Sequence, residues 1–375
     1  MAAITPIVMP KWGLSMKEGT VNEWLVEEGT EITVGMPILD VETDKIANAV
    51  EVPDAGLLRR RVASAGDTLP VKALLGVLAP TDVSDADIDA YVSSYVTPAE
   101  DEGEDEQAAA YHFVDVDGIR VRYASRGGDD AGKPAVLFIH GFGGDFDNWL
   151  FNLDALAEKN RVFALDLPGH GQSTPKVPGT SLAALSEFVG KFMDAVDLPK
   201  AHLVGHSMGG GIAAQMAVDA PSRVESVALI SPVGLGDEIN NAYTEGFVKA
   251  ESRRELKPVV ELLFANPELV SRQMLDDLLK YKRLDGVSEA LTSLGDGLFG
   301  GGKQSARPGG KLAESGKPVL VIWGEKDQII PAAHAKNAPS GATVRVFDDA
   351  GHMSQMEKAN EVNGLLKEHV AASSA

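Results

Sequence analysis

The sequence predicts a multidomain chain: an N-terminal all-β flattened barrel over residues 1–80, an acidic linker over 81–110, and a C-terminal α/β domain over 111–375 carrying a helical lid at about 235–310. Three observations predict it. Residues 1–80 read as short strands broken by Gly and Pro, and they repeat at an offset of 37. Residues 81–110 hold ten acidic side chains and no basic one. From Tyr111 onward, short continuous apolar runs alternate with helix-length segments, as in a parallel sheet buried on both faces.

In the first segment, Gly19 and Gly29 recur as Gly56 and Gly66, and Leu25, Ile32, Val34, Ile38 and Val41 recur as Val62, Leu69, Val71, Leu75 and Leu78. Two similar four-strand halves with Lys45 between them imply quasi-twofold symmetry. Within residues 37–53, two apolar-alternating strands flank the polar tip Thr43-Asp44-Lys45. A lysine at the apex of a tight turn projects into solvent, where a modifying enzyme can reach it.

The linker has too little apolar surface to offset the entropy of ordering, so its second half is expected to be extended, self-repelling and flexible. Residues 88–96 carry the pattern of a short helix that could dock on a neighbour, although the acidity favours a solvated spacer.

In the third segment the runs at 136–139, 162–165, 201–204, 227–230 and 319–322 read as strands, and 182–196 and 208–220 as helices. Residues 235–310 interrupt this alternation. There 256–264 and 267–279 read as helices and 295–310 as a mobile glycine-rich loop, together forming an inserted lid.

The α/β segment carries a constellation suited to acyl transfer. Gly205-His206-Ser207-Met208-Gly209 follows a strand and opens a helix, as in a nucleophile elbow. Glycines are needed on both sides because the serine sits on a cramped strand-to-helix turn. The Met208 amide falls at the positive helix end, where developing negative charge is stabilised. His140-Gly141-Phe142-Gly143-Gly144, directly after a strand, offers the Phe142 amide as a second oxyanion donor. A serine hydroxyl needs a base. Asp327 lies just beyond a buried strand, and His352 lies on a loop near the end. The order Ser207, Asp327, His352 is that of α/β hydrolases. His352 would act as base and then acid, with Asp327 orienting it. Asp166 reads as a turn former, His140 as a structural partner of the oxyanion loop, and no metal site is expected.

Composition narrows the partners. The formal net charge of −21 disfavours nucleic acid and anionic membrane. With no cysteine, disulfides and thiolate metal sites are excluded, which fits a cytoplasmic location. No signal peptide and no run long enough to span a bilayer is read.

Two resemblances cover most of the chain. Residues 7–80, with Met9-Pro10-Lys11-Trp12-Gly13-Leu14-Ser15-Met16 and Glu18-Gly19, resemble a lipoyl domain. Residues 114–369 resemble an α/β hydrolase. The combination is similar to the dihydrolipoamide acetyltransferase components of acetoin dehydrogenase complexes. That resemblance implies lipoate on Lys45, placed there by a lipoate-attaching enzyme. It also implies a thiamine-diphosphate-dependent, acetoin-cleaving partner that loads an acetyl group, dihydrolipoamide dehydrogenase, coenzyme A as acceptor, and assembly into a multienzyme complex.

There are departures from the wider group. Ordinary 2-oxo-acid dehydrogenase acyltransferases carry H-x-x-x-D-G on a different fold. Here His112 to Gly118 is one residue too long and reads as an edge strand and turn. A basic peripheral-subunit-binding module is missing. Asp44 and Ile46, rather than methionines, flank Lys45, which favours lipoate over biotin. Two other readings stay open at this point: an ester, thioester or carbon–carbon hydrolase that uses water, and a carrier or scaffold subunit with an idle site.

Overall fold

The computed structural model describes residues 4–12, 16–43, 47–52, 54–98, 111–128 and 134–374. Lys45, with Asp44 and Ile46, and linker residues 99–110 lie outside the described residues. The chain forms two compact units.

The first unit contains β1 (Thr5–Val8), β2 (Glu18–Trp24), β3 (Glu31–Ile32), β4 (Pro37–Glu42), β5 (Ala47–Glu51), β6 (Gly56–Arg61), β7 (Thr68–Pro70) and β8 (Leu74–Leu78). They form two four-stranded sheets, ordered β1-β8-β6-β3 and β5-β4-β2-β7. The sequence offset maps β2 onto β6, β3 onto β7 and β4 onto β8, so the two sheets have matching strand orders. Individual bonds obey the same symmetry. The Gly29 N–H donates to the Leu58 carbonyl and the Gly66 N–H to the Val21 carbonyl, both at 2.7 Å. Both glycines take positive φ, 88° and 91°, a conformation that costs a side-chain-bearing residue about 1–2 kcal/mol. Between the sheets, Val21, Ile32, Ile38, Leu39, Val41, Leu58 and Leu75 form a fully buried core. The hairpin β4–β5 pairs out to Glu42↔Ala47, so its last described rungs bracket the segment that contains Lys45.

Helix α1 (Asp85–Ser94) belongs to this unit. Ser84 caps it, accepting from the Asp87 N–H at 3.2 Å. Ile88 is fully buried in a cluster with Leu74, Val77, Ala79 and Val83, against which Val62, Tyr91 and Tyr95 also pack. The Tyr95 hydroxyl donates to the Lys72 carbonyl at 2.8 Å. A solvated spacer is therefore not what residues 85–94 form. The apolar side chains at 88, 91, 92 and 95 make one helical face, while Asp85 and Asp89 meet Arg59 and Arg60 at 2.8 and 2.9 Å.

The second unit is built on an eight-stranded sheet: β9 (Tyr111–Val116), β10 (Ile119–Arg126), β11 (Ala135–Ile139), β12 (Val162–Leu165), β13 (Ala201–His206), β14 (Val224–Ile230), β15 (Val319–Gly324) and β16 (Thr343–Phe347). Its order is β16-β15-β14-β13-β11-β12-β10-β9. All neighbours from β12 through β16 are parallel, and β9 and β10 add an antiparallel hairpin at one edge. Asp117 and Gly118, both with positive φ, turn that hairpin, so the edge strand and turn read from His112 to Gly118 are present. Every residue of β11, β12, β13 and β15 is buried, which explains the unbroken apolar runs of β11, β12 and β15. Strand β16 was not anticipated. It lies at the other edge with only Phe347 buried, so its sequence lacks the doubly buried signature.

The connections are α2 (Leu153–Ala157), α3 (Leu182–Ala195) and α4 (Met208–Asp219). Helix α3 buries Leu182, Leu185, Phe188, Val189, Phe192 and Met193, an apolar stripe at helical spacing. The inserted region holds α5 (Asn241–Lys249), α6 (Arg253–Glu261), α7 (Arg272–Lys282) and α8 (Val287–Phe299). Two of these overlap the expected helices. Residues 295–299, expected to lie in a glycine-rich loop, instead end α8. Leu291, Leu294 and Leu298 bury one side of that helix, and a Cβ on Gly297 would lie 2.5 Å from Thr180. Downstream, α9 (Gly309–Leu312), α10 (Ser354–Glu357) and α11 (Ala359–Ser373) complete the unit. No helix among the described residues is long and apolar enough to cross a membrane.

Candidate active site

In open α/β sheets, ligands bind beyond the carboxyl ends of the strands. Ser207 sits there, between the end of β13 and the start of α4. Its backbone is at φ 53°, ψ −115°, a region that costs a non-glycine residue on the order of 1–3 kcal/mol. Three bonds hold it. The Ser207 N–H donates to the Ile230 carbonyl at 2.9 Å, and its carbonyl accepts from Val233 at 2.9 Å and from Gly211 at 3.1 Å. The flanking glycines are required by space. A Cβ on Gly205 would lie 2.3 Å from the Gly209 carbonyl oxygen, and one on Gly209 would lie 2.1 Å from that of Ile139. Met208 is the first residue of α4, so its amide stands at the positive end of a helix.

The loop after β11 lies against this turn. A Cβ on Gly141 would stand 3.0 Å from both the Ser207 Cβ and the His206 Nδ1. His140 fixes the loop. Its Nδ1 bonds the Gly141 carbonyl at 2.7 Å, and its Nε2 accepts from the Leu167 N–H at 2.9 Å. That pair of bonds makes Nδ1 the protonated nitrogen. Burial holds the His140 pKa well below the ordinary histidine value, so the ring stays neutral. The Gly141 carbonyl and the Phe142 N–H share one trans peptide and point in opposite directions. Anchoring the carbonyl through His140 therefore aims the Phe142 N–H. His140 thus supports the loop that carries Phe142.

On the other side, Asp327 and His352 meet directly. The His352 Nδ1 lies 2.7 Å from the Asp327 Oδ2, and both side chains are buried. Asp327 accepts three further bonds: from the Trp323 indole N–H to Oδ2 at 3.0 Å, and from the Ile329 and Ile330 amides to Oδ1 at 2.8 and 3.0 Å. With Nδ1 committed to the carboxylate, Nε2 is the basic nitrogen of His352. His206, next to Ser207, donates from Nε2 to the His352 carbonyl at 3.0 Å, and the two rings lie 4.7 Å apart. That bond ties the loop carrying His352 to the turn that carries Ser207.

Asp166 does more than form a turn. It is fully buried and accepts from Arg122 at 2.6 Å, from the Phe146 amide at 3.0 Å and from the Gln172 amide at 2.8 Å. It locks the loops after β11 and β12 together, whereas the carboxylate bonded to His352 is that of Asp327. His170, fully buried with its pKa lowered to about 4, lies with its ring tilted 5.0 Å from that of His140. Sequence reasoning missed Trp323, whose place four residues before Asp327 on β15 was the available signal. It also missed α5, whose Tyr243 donates to the Phe142 carbonyl at 3.0 Å.

Such an arrangement can activate a serine hydroxyl, hold an oxyanion and shuttle one proton. Comparisons with known proteins bear on it. Residues 134–359 match the α/β hydrolase fold model, and residues 5–78 match the model described as biotin-requiring enzyme. The chain is 74% identical, over 98% of its length and 97% of the relative's, to the dihydrolipoyllysine-residue acetyltransferase component of the acetoin cleaving system of Cupriavidus necator. It is 49% identical to the protein of the same description from Pseudomonas putida, over 98% of this chain and all of that one. Among solved structures, a meta-cleavage product hydrolase from Pseudomonas fluorescens superposes with a TM-score of 0.63 at 22% identity, covering 70% of this chain and 98% of that one, which speaks to the fold alone.

Proposed function

The chain belongs to the family of dihydrolipoyllysine-residue acetyltransferase components of acetoin-cleaving systems, and on that premise we propose that its acetyl group passes through Ser207 on the way to coenzyme A. The enzyme is an acyltransferase, with a lipoyl-type barrel joined to an α/β-hydrolase fold. Its lipoate is assigned to Lys45. Two features of the chain fit that group. The paired strands β4 and β5 converge on the segment holding this lysine, and the neighbours Asp44 and Ile46 are not the methionines of a biotin site. Once attached, lipoate supplies a thiol that carries the acetyl group as a thioester.

The chain's own residues do the rest. His352 Nε2 takes the Ser207 proton as Oγ attacks the thioester carbonyl. The amides of Phe142 and Met208 hold the oxyanion. His352 then gives its proton to the departing sulfur, leaving Ser207 acetylated. In the second half His352 removes the proton from the coenzyme A thiol, the thiolate attacks the acetyl carbonyl, and the Ser207 oxygen recovers the proton. Asp327 keeps the imidazole in one tautomer and stabilises its cation. The observation that carries this reading is the Asp327–His352 bond beside a serine held at positive φ.

The wider arrangement follows the same reading. The barrel with α1 acts as carrier, the acidic stretch from there to residue 110 as tether and residues 111–375 as transferase. A tether raises the effective concentration of the carried thioester at Ser207. As a component of an acetoin-cleaving system the chain works in a multienzyme complex. Its partners there would be a thiamine-diphosphate-dependent, acetoin-cleaving enzyme and dihydrolipoamide dehydrogenase, in the cytoplasm. The test is product analysis with acetyl-dihydrolipoamide as donor. Acetyl-coenzyme A should form with the wild type and not with Ser207→Ala. Undiminished transfer by the variant would remove the serine from the mechanism, and free acetate as the main product in the presence of coenzyme A would make the protein a hydrolase.

A further inference from the structure

Helix α5 touches both loops that frame the serine. At its start, the Asn240 backbone N–H donates to the Ile329 carbonyl and its side-chain amide to the Gln328 carbonyl, each at 2.8 Å. Those carbonyls belong to the loop whose amides hold Asp327. One turn later, the buried Tyr243 hydroxyl donates to the Phe142 carbonyl at 3.0 Å. Burial pushes the Tyr243 pKa well up, so its hydroxyl stays a donor. A further turn on, the Phe247 ring covers Gly143, where a Cβ would meet it at 2.7 Å, and lies 6.3 Å from the Phe142 ring. At the far end, Lys282 of α7 donates to the carbonyl of Ala250, the C-cap of α5, and sits 5.3 Å over the Phe247 ring. The helix is therefore fixed at both ends and at two points between.

Phe142 needs such support. Glycines flank it on both sides, so its peptides are free to rotate. His140 anchors the peptide before it, and Tyr243 anchors the peptide after it. We propose that α5 is a strut holding the oxyanion loop against the acid loop, with Tyr243 as the positioning residue for the Phe142 donor. This rests on the reading of Ser207 and Phe142 given above. Tyr243 touches neither substrate nor the reacting atoms. Its hydroxyl fixes the peptide after Phe142, as His140 fixes the one before, so that the residue whose amide meets the oxyanion is held from both sides.

Tyr243→Phe keeps the ring and deletes the hydroxyl. With acetyl-dihydrolipoamide and coenzyme A, its kcat should fall about 3- to 10-fold, the value of one hydrogen bond, with KM unchanged. Titration with a fluorophosphonate should find the same number of reactive serines, labelled more slowly by the same factor. Asn240→Ser keeps the cap oxygen but is too short to reach Gln328. It should lower kcat as well, and the double variant should lose clearly less than the product of the two losses. A wild-type kcat in Tyr243→Phe overturns the proposal, as does a loss carried wholly by fewer titratable serines. Losses that multiply in the double variant overturn the strut. Should Ser207 not carry the acyl group, Ser207→Ala would still transfer whatever Tyr243→Phe does, so the two failures are distinguishable.

Discussion

The two units handle polar chemistry in opposite ways. Among the described residues of the barrel and α1, the only buried polar side chain is Thr43, at the end of the strand that leads to Lys45. The α/β unit buries His140, Asp166, His170, His202, His206, Ser207 and His352. The difference follows from where the reactive group comes from. A carrier imports its chemistry on a cofactor, so its fold has only to present one amine, and an apolar core between two quasi-symmetric sheets suffices. A transferase makes its own chemistry, which requires desolvated polar groups held in place by hydrogen bonds. The units should therefore fail in different ways when altered.

The sharpest contrast comes from separating the handle from the nucleophile. Ser207→Ala should reduce transfer at least about a thousandfold while lipoate is still attached at Lys45. Lys45→Arg should abolish attachment, measured by intact mass, yet still turn over free acetyl-dihydrolipoamide at the wild-type rate. If either change impairs the other unit's activity, the division of labour is wrong. Next in size is Asp327→Asn, which keeps the shape but offers His352 a donor or acceptor in the wrong tautomer. A drop in kcat of about a thousandfold or more is expected, with the thermal midpoint of the α/β unit lowered only slightly.

Acid should also divide the units. All eight histidines lie at or beyond His112, so the barrel has none. Burial lowers the pKa values of His170 and His202 from 6.5 to about 4. The folded state prefers these rings neutral. Their stabilising contribution is thus complete above pH 6.5 and is lost as the pH falls from there toward 4, by on the order of 2–3 kcal/mol per ring. Calorimetry across that window should lower the α/β transition and leave the barrel transition without a histidine contribution. His202→Gln should flatten the slope. The smallest effect tests the barrel's symmetry. Gly29→Ala and Gly66→Ala should each cost the barrel about 1 kcal/mol, equally within error, because both sit at the same positive φ and make the same 2.7 Å bond. Unequal costs would mean that the repeat is not energetic.

Much of this was legible because its signals are local. Gly205-His206-Ser207-Met208-Gly209 carries its own strand, turn and helix. Doubly buried strands such as β11 and β12 are unbroken apolar runs, and the repeat puts Gly29 and Gly66 in equivalent turns. What was not legible depends on partners far apart in the chain. Helix α5 buries only Tyr243, Thr244 and Phe247, too few for a clear period, and its meaning lies in a bond to Phe142, 101 residues away. Trp323 reads as an ordinary buried strand residue until its indole N–H is found on Asp327. Helix α1 was masked by its acidity, since Asp85 and Asp89 are excused by Arg59 and Arg60 on another strand.

The central claim is that the acetyl group is held on Ser207 between donor and acceptor. Incubating the protein with acetyl-dihydrolipoamide in the absence of coenzyme A, quenching in acid and measuring the mass of the peptide containing Ser207 tests it directly. The account predicts one added acetyl on that serine, discharged as acetyl-coenzyme A when the thiol is supplied. An unmodified peptide under conditions where transfer to coenzyme A proceeds at full rate would contradict it.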